Sequence, residues 1–311
     1  MLFSVIVPVY GCRGALMELH QRLTTTLNKI TQDYEIILVN DNCPQNSWEI
    51  IEQLCKKDKH VIGIELSRNF GQIKAITAGL EYSSGDYIVV MDCDLQDSPE
   101  EIINLYNRLL ETESDVVFAK RKNRQDNKMK IFISKCFYKV YSWMTDDNYD
   151  EELCNFSISK RIVINNYLKM RETHRAFVMY IKWLGFKQEV LEVAHNERKE
   201  GKSSYNFKKR LSLAFSILTS QSEKLLFLNI KFGVVIAALS FLYILYLIFS
   251  KFFFDITIGY TTIVASIYLV CGLILTSLGI IGVYIGNIFM QVKERPLYVV
   301  RTIMNKENNY D

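Results

Sequence analysis

Two hydrophobic periodicities alternate along the first two thirds of this chain. Phe3 to Tyr10, Tyr34 to Asp41, Val61 to Leu66, Tyr87 to Met91 and Asp115 to Ala119 are short β-branched and apolar runs bounded by turn formers, the pattern of buried strands. Between them apolar residues recur every three or four positions. Leu16, Leu19, Leu23 and Leu27 share a face of a helix over about residues 15 to 30. Ser47 is placed to cap a helix carrying Ile50, Ile51 and Leu54. Ala75, Ala78 and Gly79 form the small face of a third helix, and Ser98 with Pro99 suits the start of a fourth. Asn155 to Ile158 reads as another strand. Strands alternating with amphipathic helices predict an α/β fold with a doubly wound, mostly parallel sheet.

After Asn229 the pattern changes. About residues 230 to 250 are apolar except for Lys231 near the start, and 263 to 289 carry no charge at all. Each is long enough to cross about 30 Å of hydrocarbon. Gly272, Gly279, Gly282 and Gly286 give the second span a small-residue face that suits helix contacts, including contacts between copies of the chain. Before the first span, Phe207, Leu211, Phe215, Leu218 and Leu225 recur at helical spacing among Lys208, Lys209 and Arg210, a basic amphipathic segment fit for a membrane interface. Basic residues flank both spans on the outside (Lys293, Arg295 and Arg301 after the second), while the loop between holds only Lys251 and Asp255. The positive-inside rule therefore predicts both chain ends in the cytoplasm. The expected division is a catalytic domain over 1–206, a juxtamembrane segment over 207–228 and a membrane domain over 229–311.

Composition adds little to this picture. The 311 residues are 49% hydrophobic and 23% charged with a net charge of +3, which gives no argument for nucleic acid. Leu2 to Tyr10 is too short, and too interrupted by Pro8, for a signal peptide. Seven cysteines without metal-ligand spacing predict reduced thiols rather than a disulfide frame.

The candidate chemistry lies where strands end. Asp92 and Asp94 follow the fourth strand, and alternate residues of an extended chain point the same way. In an open α/β sheet that edge is the ligand crevice. Two carboxylates there suit Mg²⁺ or Mn²⁺ completed by substrate phosphates. Asp41 ends the second strand at the same edge. No glycine-rich phosphate loop is present, which favours a metal as the holder of the phosphates. Basic residues from Lys120 to Lys135, and again around Arg198 and Lys202, could receive a phosphate. Phe177, Tyr180, Trp183 and Phe186 read as a packing face, and His174 and His195 as structural.

An ordered series of motifs carries a resemblance: Val5 to Tyr10, Val39 to Asp41, Ser67 to Gln72, Gly85-Asp86, Met91 to Asp97 with Pro99-Glu100, Arg198 with Gly201 to Ser203 and Tyr205, Gly279 to Gly286, and Arg295 to Tyr298. The chain resembles GT-A fold, family 2 glycosyltransferases of the polyprenyl-phosphate hexosyltransferase type, similar to dolichol-phosphate mannose synthase and bacterial undecaprenyl-phosphate glucosyltransferases. The resemblance implies an enzyme of the plasma membrane that moves a hexose from an NDP-sugar, such as a UDP-hexose, to undecaprenyl phosphate for cell-envelope glycans. By position it implies that Pro8, Tyr10, Asp41, Lys74 and Asp92 bind the nucleotide sugar and that Asp92 and Asp94 hold Mg²⁺ or Mn²⁺. Gln96 and Asn155 would sit at the reacting sugar, and Arg121, Arg124, Arg198, Lys202 and Tyr205 would receive the lipid phosphate.

Two departures matter. Tyr10-Gly-Cys12 stands where the family commonly has Tyr-Asn-Glu, and Cys154-Asn-Phe-Ser157 where many relatives have Gly-Asp-Phe-Arg. Asn155 cannot take up a proton, unlike the usual aspartate. The alternatives are direct glycosylation of a lipid-linked saccharide or cell-wall polymer, and an inactive sugar-nucleotide-binding scaffold.

Overall fold

The computed structural model describes residues 2–121, 153–172, 175–193, 224–254 and 259–306, with positions 139, 142–144 and 222 between them. The strands are β1 (Phe3–Val9), β2 (Tyr34–Asn40), β3 (Val61–Leu66), β4 (Tyr87–Val90), β5 (Val116–Arg121), β6 (Leu153–Lys160), β7 (Gln188–Val193) and β8 (Val300–Met304). They form one sheet with the spatial order β7-β5-β6-β4-β1-β2-β3-β8. The helices that accompany them are α1 (Leu16–Leu27), α2 (Ser47–Lys57), α3 (Gln72–Glu81), α4 (Glu101–Glu111), α5 (Arg161–Lys169) and α6 (Phe177–Trp183).

β1 and β2 are buried along their whole length, because helices cover both faces of the sheet centre. β1 runs parallel to β2 and β4, and β2 to β3, so the acids that end β2 and β4 meet at one edge. Pro8 is tolerated in this central strand for a local reason. Ile6 accepts the Met91 amide on the β4 side, whereas Val9 accepts the Asp41 amide on the β2 side. The missing N–H of Pro8 therefore faces β4 beyond the last β1–β4 pair, Ile6 with Val90.

The sheet is more mixed than the alternation predicts. β6 inserts antiparallel between β4 and β5, and β8 adds antiparallel to β3. β7 pairs parallel to β5. Helix starts also shift: Asn46, in the left-handed region at φ 54, takes the N-cap of α2, and Ser47 is its first residue. Glu100, rather than Ser98, takes the N-cap of α4. Of the expected packing face, Phe177 and Tyr180 are buried but Trp183 is 73% exposed.

The described residues form two compact units, and the segment from Arg295 onward belongs with the sheet. Leu297 and Tyr298 are buried, and Tyr298 donates its hydroxyl hydrogen to Glu81. The Asn305 amide donates to the carbonyls of Cys55 (2.7 Å) and Val61 (2.9 Å). The other unit holds two long helices, α7 (Lys224–Phe254) and α8 (Tyr260–Val292). Both are long and apolar enough to cross a membrane, and none of either apolar stretch is buried. Ser277 on α8 donates to Asn229 on α7 at 3.1 Å. The amphipathic pattern over 207–221, His174 and His195 lie outside the described residues.

Candidate active site at the carboxyl edge of the sheet

β4 ends at Val90, and Asp92 and Asp94 follow where its ladder stops. Asp94 is buried, and its Oδ1 accepts the amide of Gln96 at 3.2 Å, a turn made possible by Leu95 at φ 60. Asp92 is half-buried, and its Oδ1 accepts the side-chain amide of Gln72 at 2.6 Å. Asn155 lies on the neighbouring strand. The last β4–β6 pair is Val90 with Ser157, and Asn155 stands two residues before Ser157 on β6, at the same end of the ladder as Asp92.

Asp41 enters the same edge from β2 with 2% of its surface exposed. Its Oδ1 accepts the Phe70 amide (2.7 Å) and its Oδ2 the Gly71 amide (2.9 Å). Burial raises its pKa, opposed by those two amides and by the nearby Lys74 and Arg68 cations. Both oxygens thus hold the turn that launches α3. Gly71 at φ 97 supplies a backbone geometry that L side chains rarely adopt. Lys74 lies in the first turn of α3, its pKa lowered by burial and by Arg68, with Asp41 pulling the other way. Tyr10 is 45% exposed just past β1, while Pro8 is buried within it.

The thiols are the plain correction. Cys12 and Cys93 are expected as reduced, separate residues, but the structure joins them in a disulfide with a Cα–Cα distance of 6.2 Å. They are 81 residues apart, so no local spacing announces the pair. They meet because β1 and β4 are parallel neighbours and both cysteines lie just past the strand ends. Among the described residues Cys43, Cys55, Cys154 and Cys271 take no part in a disulfide. Cys43 lies beside this pair in the chain fold: its Sγ accepts the Gly11 amide at 3.2 Å and the Ser47 hydroxyl at 3.1 Å. The bridge engages the Cys93 sulfur with Cys12, so Asp92 and Asp94 are a pair of oxygen donors.

That donor set fits a hard divalent cation. Two carboxylates two residues apart, with no thiol or imidazole among them, match Mg²⁺ or Mn²⁺ completed by phosphate oxygens and water. Among the described residues no group of three or more His, Cys, Asp or Glu could hold a metal alone.

Of the expected lipid-phosphate residues, Arg121 ends β5, which points the same way as β4, and so its backbone reaches this edge. Arg124, Arg198, Lys202 and Tyr205 lie outside the described residues. Gln72 carries no role in the sequence reading beyond its place in the Ser67 to Gln72 motif. An uncharged residue at a helix start gives no signal until the fold shows what it faces.

Comparison with known proteins agrees with this geometry. Residues 4–193 match the model of Glycosyl transferase family 2. The undecaprenyl-phosphate 4-deoxy-4-formamido-L-arabinose transferase of Proteus mirabilis is 32% identical over 97% of this chain and 93% of its own. The SfII prophage-derived bactoprenol glucosyl transferase of Shigella flexneri is 30% identical over 97% of this chain and 98% of its own. Among solved structures, mannosyl-3-phosphoglycerate synthase from Rubrobacter xylanophilus superposes with a TM-score of 0.52 at 12% identity, covering 72% of this chain and 74% of that one. Strand order, acidic edge and sequence thus agree, and the chain belongs to glycosyl transferase family 2, a transferase enzyme on a GT-A-type mixed sheet followed by two apolar helices.

Proposed function

We propose that this enzyme moves a hexose from a UDP-sugar to undecaprenyl phosphate, with inversion at the anomeric carbon, on the cytoplasmic face of the membrane. The observation that carries the reading is the Asp92/Asp94 pair at the carboxyl edge of β4, with Asn155 on the adjacent strand β6. The names of the two relatives support the acceptor class.

In this reading the uridine lies over Tyr10 and the β2 edge, and its diphosphate approaches Asp92 and Asp94. A divalent cation held there would supply Lewis-acid stabilisation of the charge that develops on the leaving diphosphate. Asp92 and Asp94 would hold that cation, and the Gln96 amide braces Asp94 in its turn. An oxygen of the lipid phosphate forms the new bond to the anomeric carbon as the bond to the nucleoside diphosphate breaks. A phosphate monoester is already largely ionised at neutral pH, its second pKa being about 6. No general base is then required, which is why Asn155 suits this acceptor better than it would suit a sugar hydroxyl. Arg121, Arg124, Arg198, Lys202 and Tyr205 would place the anion. The proposed division remains 1–206, 207–228 and 229–311, with one qualification from the fold: β8 returns to the sheet after α8. A chain that leaves one domain and rejoins it fits an even number of crossings, hence both ends on one side, which the flanking basic residues make the cytoplasmic one.

The test uses membranes expressing the full chain, a panel of radiolabelled NDP-sugars, undecaprenyl phosphate, and Mg²⁺ or Mn²⁺ against an EDTA control. Metal-dependent label in the lipid phase from one donor is expected. Label that needs no phosphate on the lipid would overturn the acceptor, and binding of UDP without any turnover would favour the scaffold reading.

A further inference from the structure

We propose that Gln72 is a positioning residue: its side-chain amide holds Oδ1 of Asp92 and so helps set the orientation of that carboxylate toward the cation and diphosphate. The inference rests on the proposed function for what that cation does, and on geometry for the rest.

The two carboxylates are supported differently. Asp94 is buried and braced by its own loop through the Gln96 amide. Asp92 lies past the end of the β4 ladder and is half-buried, and α3 reaches across to it at 2.6 Å. An acceptor-only carboxylate requires a donor at that distance, so the Gln72 nitrogen is the atom that faces it. Gln72 is the first residue of α3, and its backbone is fixed from the opposite side of the edge. Asp41 ties down the Phe70 and Gly71 amides immediately before it. A buried carboxylate at the end of β2 thereby sets the place of a side chain that orients a carboxylate after β4.

The residue type is informative. A lysine or arginine at this point would also donate to Asp92, but its charge would compete with a divalent cation for the same carboxylate. An amide orients without neutralising. Hydrogen-bond partners of ligating carboxylates commonly cost about 10–100-fold in metal affinity or activity when removed. Gln72 is exposed, so its substitution leaves the core untouched.

The experiment uses the full chain in detergent with Gln72→Met, which keeps the length and removes the donor, and Gln72→Ala. Mn²⁺ binding is titrated by electron paramagnetic resonance in the presence of UDP, and transfer is measured as a function of Mn²⁺. Both variants are expected to need about 10–100-fold more Mn²⁺ for half-saturation in either assay. Their kcat should return to within a few-fold of the parent at saturating metal, and their melting temperatures should not move. Half-saturation within twofold of the parent overturns the inference. So does a kcat loss that no Mn²⁺ concentration restores, which would place Gln72 against the substrate itself. If the unaltered chain transfers no sugar, the proposed function fails, while the resonance titration, which needs no turnover, still decides the role of Gln72.

Discussion

The sheet unit and the helix pair use the same apolar residues in opposite ways. In the sheet, Val5, Ile6, Val7, Ile36, Ile37 and Val89 are completely covered by protein. In α7 and α8, Leu239, Leu242, Leu269 and Leu275 are each more than 60% exposed. A soluble protein rarely leaves so large a contiguous apolar surface bare. The contrast separates a domain whose fold is closed by its own core from two bare helices that are long and apolar enough to cross a membrane. The segment after α8 crosses this division, because it follows a membrane-length helix yet belongs to the sheet.

The largest expected effect tests that segment. Deleting the chain from Arg295 removes β8, the buried Leu297 and Tyr298, and the Asn305 bonds to two carbonyls. At about 1.5–3 kcal/mol for each buried side chain, the loss is on the order of 3–6 kcal/mol. The sheet unit should lose that stability by denaturant titration while α7 and α8 keep their helicity. A catalytic fragment cut before α7 should show the same weakness unless residues 295–306 are restored to it. An undiminished unfolding midpoint would show the β8 edge to be dispensable.

Next in size is Asp94→Asn. Removing a group that stabilises developing charge costs about 10²–10³ in kcat. Turnover should fall by that factor in the lipid-transfer assay, with the melting temperature and membrane insertion unchanged. Activity near that of the parent would remove the metal argument.

These two effects also mark what could be read without a structure. Asp92, Asp94 and Asp41 were legible because a strand pattern states where it ends, and parallel strands put their ends on one edge. α7 and α8 were legible because charge vanishes for longer than a core helix tolerates. The Cys12–Cys93 bridge was not, since it depends on which strands are neighbours rather than on spacing. β8 was hidden because Val300 to Met304 is short, carries Arg301 and Thr302, and looks like a polar tail once the second span has been recognised. The antiparallel course of β6 was hidden too, as alternation marks a strand but not its direction. Gln72 gave no signal because its role lies in what it faces.

Glycine substitutions sharpen the comparison at a smaller scale. A Cβ added at Gly79 would lie 2.4 Å from Ile6 Cγ2 and 3.1 Å from Val39 Cγ2, inside the closed core. A Cβ added at Gly282 meets nothing within 4 Å. Gly79→Ala should therefore cost about 1–3 kcal/mol by overpacking. Gly282→Ala should leave the monomer's stability unchanged. If Gly282→Ala weakens the chain instead, and does so in a concentration-dependent way, that face is a contact between copies in the membrane.

The smallest effects concern single polar links, and here the two units should differ in their response to solvent rather than in size. On the sheet unit, the Arg22 guanidinium donates to both oxygens of Glu100, at 2.9 and 2.6 Å, and that bond holds the Glu100 carboxyl below its usual pKa. A carboxylate with a depressed folded pKa adds stability that is present above the unfolded value of about 4.3 and is lost as pH falls through the folded value. Because the pair is largely exposed, Glu100→Gln should cost only about 0.2–1 kcal/mol at neutral pH. The deficit should shrink in high salt and vanish in acid. In the helix pair, Ser277 to Asn229 is a link of similar expected size, about 0.6 kcal/mol, between groups that do not titrate. Ser277→Ala should carry the same small deficit at every pH and salt concentration, measured by denaturant titration of the detergent-solubilised chain. A deficit at Ser277 that follows salt or acid would mean water and ions reach between α7 and α8, contrary to a lipid-facing pair.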